Sequence, residues 1–246
     1  MKETIYTIPV NKAFAECGRG DCAFCVMMKK LNENSIEFVM GPSYMEDDVR
    51  METNKTGFCA KHMEEMYRRP NRLGLALMTH THLMKVNADL KASLAGIAHG
   101  GRRPAFGGAN KHRRAEGAAE YLRKIERSCY ICARTDETFI RYVDTFFHLW
   151  KSGAEFKTLT ESGGGFCLSH FRLLLERGEE KLSAHEYDEF LKAVVPLQQR
   201  ELKKLEDDLE WFTRKFDYRN VNEPWKDSKD ALIRSLKKIS SVAEVE

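Results

Sequence analysis

Cys22-Ala-Phe-Cys25 with Gly57-Phe-Cys59-Ala-Lys-His62, and then Cys129-Tyr-Ile-Cys132 with Gly165-Phe-Cys167-Leu-Ser-His170, decide the reading of this 246-residue chain. Order and ligand type are the same in both stretches. The copies superpose with a shift of 107 residues at the first pair and 108 at the second. The larger shift also carries Pro70 onto Gly178, one helix breaker onto another, and Met66 onto Leu174. Free cysteine is among the most buried residue types, so scattered core cysteines are the plain alternative. Chance does not duplicate ligand type and order together, which favours a duplicated helical module.

Taken in chain order, the pattern gives one set of Cys22, Cys25, Cys59 and His62 and a second of Cys129, Cys132, Cys167 and His170. A structural zinc site fills a tetrahedron with four protein ligands, and three thiolates with one imidazole is a standard set. The C-x2-C pair offers two thiolates from one tight turn. The C-x2-H pair at the start of a helix adds a thiolate and an imidazole, with the helix N-terminus favouring the thiolate. With all four positions filled no place is open for water, so the expectation is two structural Zn2+ per chain. An iron–sulfur cluster is the alternative, because Cys17-x4-Cys22-x2-Cys25 with Cys59 downstream has the spacing of a plant-type ferredoxin. The position equivalent to Cys17 in the second copy is Lys124, which leaves Cys17 outside the shared set as a spare thiol.

Charged residues make up 31% and the hydrophobic set 42%, enough for a buried core in a globular chain. The N-terminal stretch carries Glu3 and lacks a signal-like apolar run, and no segment approaches a membrane span. The chain is expected in the cytoplasm, where cysteines in C-x2-C and C-x2-H pairs act as metal ligands rather than disulfides.

The fold class expected is all-α: two repeated helical units, each stapled by one metal set, followed by a long and a short C-terminal helix. Residues 1–98 form the first unit, 99–117 a basic Gly-rich linker or loop, and 118–246 the second. A long helix is predicted from Asn71 to about Ala98. Phe139, Val143, Phe146, Phe147 and Trp150 share one helical face. Another helix is predicted to stop at Gly178. A further one runs from about Ala184 to Phe216, with Leu202, Leu205, Leu209, Phe212 and Phe216 as a packing seam and Pro196 as a site for a kink. Asp227 is read as the cap of a last helix with Leu232, Leu236 and Ile239 inward.

Other features weigh less. Met78, His80, His82 and Met84 could ligate haem or copper, but a packed polar stripe explains them better. All ten methionines fall within residues 1–84, as core or as an adaptable partner groove. Residues 101–128 hold 8 Lys/Arg against 3 Asp/Glu. Arg102, Arg103, Lys111, Arg113 and Arg114 could therefore meet nucleic-acid phosphates, although no recognition motif accompanies them. The adjacent acids Asp207/Asp208 and Glu179/Glu180 point to different sides of a helix, and Ser162-Gly-Gly-Gly-Phe166 lacks the lysine of a phosphate loop. No nucleophile–base constellation is found. An enzyme is not favoured, though His80, His82 or His148 could approach a site in the fold.

The doubled CxxC…GFCxxH arrangement is similar to an uncharacterised family of bacterial proteins, common in anaerobic Firmicutes. So are Phe212-Thr-Arg-Lys-Phe-Asp-Tyr-Arg-Asn220, Pro224-Trp225 and Asp227-Ser-Lys-Asp-Ala-Leu232. Its members are often labelled ABC-transporter substrate-binding proteins. Such receptors need an export signal and usually an α/β fold, so the resemblance implies a domain of unknown function and carries no activity. The reading from the residues is a metal-stapled helical protein with a partner-binding or regulatory role of unknown pathway, its partner expected to be a protein. Redox sensing or electron transfer through a cluster, and nucleic-acid binding through the basic segment, are the alternatives. The heptad-like seams are compatible with a homodimer, and no membrane association is expected.

Overall fold

The computed structural model describes residues 5–18, 20–95 and 108–241, with the side chains of 108–114 outside the description. All regular structure among these residues is helical. The helices are α1 (Thr7–Glu16), α2 (Ala23–Met40), α3 (Asp47–Thr56), α4 (Ala60–Tyr67), α5 (Arg72–Ser93), α6 (Gly108–Glu126), α7 (Tyr130–Ser152), α8 (Ala154–Glu161), α9 (Leu168–Lys181), α10 (Ala184–Arg214) and α11 (Ala231–Ser240). None is long and apolar enough to cross a membrane.

The chain divides into two compact units, but not in sequential order. One is Met1–Leu31 with Thr138–Glu246, and the other is Asn32–Glu137. The boundaries fall inside α2 and α7, so sequential units of 1–98 and 118–246 do not describe this division. Part of the basic segment read as a linker is helical, because α6 begins at Gly108. Arg102 and Arg103 lie outside the described residues. Lys111, Arg113 and Arg114 sit on α6 without described side chains.

The discontinuous unit has an aromatic core. Phe139, Val143, Phe146, Phe147 and Trp150 on α7 are all buried, as their spacing predicted. They meet Phe14 of α1, Phe24 of α2, Phe156 of α8 and Phe190 of α10 in edge-to-face and stacked pairs 5.2–6.2 Å apart. The core of the other unit is aliphatic and Met-rich: Ile36, Val39, Met40, Met66, Leu75, Met78 and Ile131. The methionines are thus partly core, while Met45, Met51 and Met84 are exposed.

Local chemistry sets the helix ends. Pro70 separates α4 from α5. Asn71 then caps α5, its Oδ1 accepting from Gly74 N at 2.9 Å while its Nδ2 donates to Met40 O at 2.7 Å. Ser183 and Glu186 form a reciprocal capping box at the start of α10, which then passes through Pro196 without ending. The α10 seam is uneven: Leu205 is buried, whereas Phe216 lies beyond the helix and is 75% exposed.

Gly178 does not stop a helix; α9 runs through it to Lys181. A Cβ there would lie 2.9 Å from the Tyr187 ring and 3.4 Å from that of Phe190. The glycine exists for close packing against α10. Tyr187 cannot easily yield, because its hydroxyl donates to Leu175 O at 2.9 Å and its ring stacks on Phe190. Gly178→Ala is expected to destabilise the chain by about 1–3 kcal/mol through overpacking. Gly117→Ala in α6, where a Cβ meets nothing within 4 Å, is expected to stabilise by about 0.5–1 kcal/mol. Denaturant midpoints of the two variants should move in opposite directions.

Candidate metal centres

Every candidate ligand occupies one of two positions at a helix start. Cys22 and Cys129 immediately precede α2 and α7, and Cys25 and Cys132 are the third residues of those helices. Cys59 and Cys167 are the N-caps of α4 and α9, and His62 and His170 are the third residues there. The two N-caps share an extended conformation, with φ, ψ of −71°, 163° and −69°, 158°. Two residues before each stands a glycine in the left-handed region, Gly57 at φ 61° and Gly165 at φ 69°, a turn that L side chains rarely enter. Gly57 O accepts from Tyr130 N at 3.0 Å. The side chain of buried Gln198 clamps Phe166 N and O, both at 2.9 Å.

The eight residues form two sets, but each set draws on both copies of the pattern. Cys22 and Cys25 meet Cys167 and His170; Cys129 and Cys132 meet Cys59 and His62. The grouping in chain order is therefore corrected. Local spacing fixes each pair at its helix start, whereas tertiary packing decides which pairs meet. Each set lies within one of the two units.

In the first centre His170 Nδ1 lies 3.6, 3.4 and 3.1 Å from Cys22, Cys25 and Cys167 Sγ, and Cys25 Sγ is 3.5 Å from Cys167 Sγ. In the second, His62 Nδ1 lies 3.2, 3.2 and 3.4 Å from Cys59, Cys129 and Cys132 Sγ, and Cys59 and Cys132 are 4.0 Å apart. All four ligand atoms of each set fall within 4.8 Å of one another. A tetrahedron about one ion with metal–sulfur bonds of about 2.3 Å has edges of about 3.5–3.8 Å, so each set could hold a single metal ion. Two helix N-termini point at each set, and their exposed N–H groups favour thiolates.

Without a cation such a cluster resists its own charge. Burial, then the neighbouring Cys129 and Cys59, pushes the Cys132 thiol up to about 12. Bonds to Cys167 and Cys22, with burial, raise Cys25 too, while bonds to Cys22, then Cys25 and His170, hold Cys167 low against burial. Burial works against protonation of His170, yet its bonds to Cys167 and Cys22 prevail and hold it at about 9. The first set thus keeps protons on Cys25 and His170 and negative charge on Cys167. A metal ion bound there would replace those protons.

The surroundings of the two centres differ. His62 Nε2 lies 2.5 Å from Asn32 Oδ1, and Asn32 Nδ2 donates to Glu65 Oε2 at 2.9 Å. Because Glu65 can only accept, Asn32 must turn its oxygen to His62; this places the imidazole proton on Nε2 and leaves Nδ1 for a metal. Burial also lowers the His62 pKa and so favours the neutral ligand form. Residue 139, which stands 107 positions after Asn32, is a phenylalanine; its ring packs on His170 with centroids 5.3 Å apart. Phe24 contacts that imidazole from 5.7 Å.

Cys17 joins neither set. Burial, then Cys22 and Asp21, push its thiol up to about 12. Met78 is buried, His80 and Met84 are exposed, and His82 Nδ1 donates to Asn54 O at 2.8 Å, beside Gly57. They gather no ligand set among the described residues, and His148 is exposed and apart from both centres.

The model of a family described as a family of unknown function, DUF6062, matches residues 1–246, and the chain belongs to that family. No curated protein and no solved structure matches it.

Paired serine substitutions separate the two groupings by metal stoichiometry. Cys22→Ser with Cys167→Ser should leave one metal ion per chain, whereas Cys22→Ser with Cys59→Ser should leave none. Grouping in chain order requires the reverse, so elemental analysis of the two double variants decides.

Proposed function

We propose that this DUF6062 protein is a zinc-binding helical protein of the cytoplasm. Each set of three cysteines and one histidine holds one structural Zn2+, and the protein serves a partner-binding or regulatory role rather than catalysis. The observation that carries the reading is the convergence of three sulfurs and one Nδ1 within 4.8 Å, twice over. Four protein ligands close a tetrahedral ion and leave no position for substrate or water. Thiolates with imidazole suit zinc among divalent ions of fixed valence. A two-iron cluster divides its four ligands between two metal ions, and the tight convergence favours a single ion over that arrangement.

The same reading takes the chain as a duplication, with α1–α5 answering to α6–α10. Its support is the match of helix-start positions, N-cap conformations and the two left-handed glycines. The metal would then join the first ligand pair of one copy to the second pair of the other. The six ligand cysteines form no disulfide, as reduced metal ligands must not.

Elemental analysis of anaerobically purified protein should give two zinc per chain, with no visible absorbance and marked destabilisation by a chelator. Less than one metal per chain, or visible sulfur-to-iron bands, overturns the reading. Because the Cys132 thiol is pushed up to about 12 and Cys25 is raised as well, zinc binding near neutral pH must expel protons. Apparent zinc affinity should therefore fall as pH falls, and proton release on zinc addition should be measurable by calorimetry in buffers of different ionisation enthalpy.

A further inference from the structure

Helix α11 is inside out. Leu232, Leu236 and Ile239 were expected to face the core, yet they and Ile233 are exposed; Arg234, Ser235 and Lys238 are buried instead. The helix starts at Ala231, with Asp230 rather than Asp227 at its N-cap. What its polar face meets explains the inversion. Lys237 Nζ pairs with Asp21 Oδ1 at 3.0 Å, beside Cys22. Arg234 binds Asp208 and Asp230 at 3.0 and 2.9 Å and lies against Gly20, where a Cβ would come within 2.7 Å of its chain. Lys238, only 2% exposed, donates to Gly164 O in the loop that leads to Cys167. Burial lowers its pKa, against the opposing pull of Cys22, Glu201, Cys17 and Cys167; Arg200 already engages Glu201 at 3.1 Å.

Just past the helix, Ser241 turns into the left-handed region at φ 56°. Its Oγ lies 3.1 Å from Cys167 Sγ and 3.1 Å from Ser169 Oγ. One hydroxyl has one proton, so Ser241 donates to the sulfur and accepts from Ser169. A cavity of about 270 Å³ remains beside the centre, lined in part by Cys22, Cys25, Cys167, Lys29, Lys237 and Lys238.

A divalent ion with three thiolates and a neutral imidazole has net charge −1. Burying that charge is unfavourable unless a cation or hydrogen-bond donors answer it. The second centre orients its histidine through Asn32 and Glu65. The first has Phe139 at the corresponding place and lacks that bond. We propose that Lys238 and Ser241 are the positioning residues of the first centre, and that α11 is thereby a lid whose docking depends on the metal held there. This rests on the reading of both sets as metal sites. With the metal in place, the lid's cation faces a net anion and stays buried. When the metal leaves, Cys167 and the Gly164 carbonyl are no longer held where Ser241 and Lys238 reach them, so α11 undocks.

The test uses the full chain loaded with zinc. Competition with a chromophoric chelator should show Lys238→Met weakening one of the two zinc ions about 10–100-fold, the range for lost outer contacts; the other should be unchanged. Asn32→Ala should weaken only the other ion. Ser241→Ala, a small change at the end of a helix, should shift the thiolate-to-cobalt bands of one centre in the Co2+-loaded chain, which a purely structural role would not do. In the wild-type chain, stripping the metal should raise amide exchange in α11 early, before exchange rises in α7. A chain that binds no zinc defeats the zinc reading itself. Two bound zinc ions with unchanged α11 exchange on stripping defeats the lid, as does a Lys238→Met variant that weakens both ions alike or neither.

Discussion

Mutual repulsion among three buried or half-buried sulfurs is the constraint around which each centre is arranged. Each centre gathers three cysteines within 4.8 Å, a spacing at which thiolates strongly disfavour one another in a medium of low dielectric. The fold answers in layers. Two helix N-termini present their free N–H groups to each set, a glycine turn brings the third cysteine in as an N-cap, and polar groups outside the ligands take up what remains. The aromatic core around Phe146 and the Met-rich core around Met66 supply the burial that makes the repulsion severe. They also hold the helix starts in place.

The residue-level chemistry was legible in the sequence because it is local. A cysteine just before a helix and a ligand at its third residue lie on one turn, so C-x2-C and C-x2-H each announce a pair of ligands. The buried face of α7 was equally open to reading, since Phe139, Val143, Phe146, Phe147 and Trp150 follow one helical period. What could not be read was which pair meets which. The ligand gap inside each copy is more than thirty residues, and nothing in such a gap distinguishes closure on itself from closure on the other copy. Gly178 misled for a related reason: a glycine that ends a helix and a glycine that admits a tyrosine ring are the same letter. The inversion of α11 was hidden most deeply. Periodicity assigns the apolar stripe to the interior, and only the partners of the polar stripe, Asp21, Asp208 and the Gly164 carbonyl, make it the better one to bury.

The two centres are chemically equal in ligands but not in their surroundings. At residues 32 and 139, seven positions beyond the second cysteine of each C-x2-C pair, one copy has asparagine and the other phenylalanine. Asn32 gives His62 a fixed tautomer through a bond that also engages Glu65. Phe139 gives His170 only a ring face. One centre has its imidazole held by Asn32, whereas at the other Ser241 meets Cys167 Sγ and Lys238 meets the carbonyl of Gly164. Two sets of the same ligand types therefore have different surroundings.

The crossed pairing also sets an order in time. The ligand pairs are nested: those at 59/62 and 129/132 lie between those at 22/25 and 167/170. As the chain leaves the ribosome, the inner set is complete once Cys132 has emerged, while Cys22 and Cys25 must wait for His170. The inner closure spans 67 residues from His62 to Cys129, and the outer spans 142 from Cys25 to Cys167. Doubling a loop adds only about 0.6 kcal/mol of closure entropy, so delay matters more than cost. Until the second half is made, two thiols near the N-terminus stand without partners, exposed to adventitious metal and to oxidation.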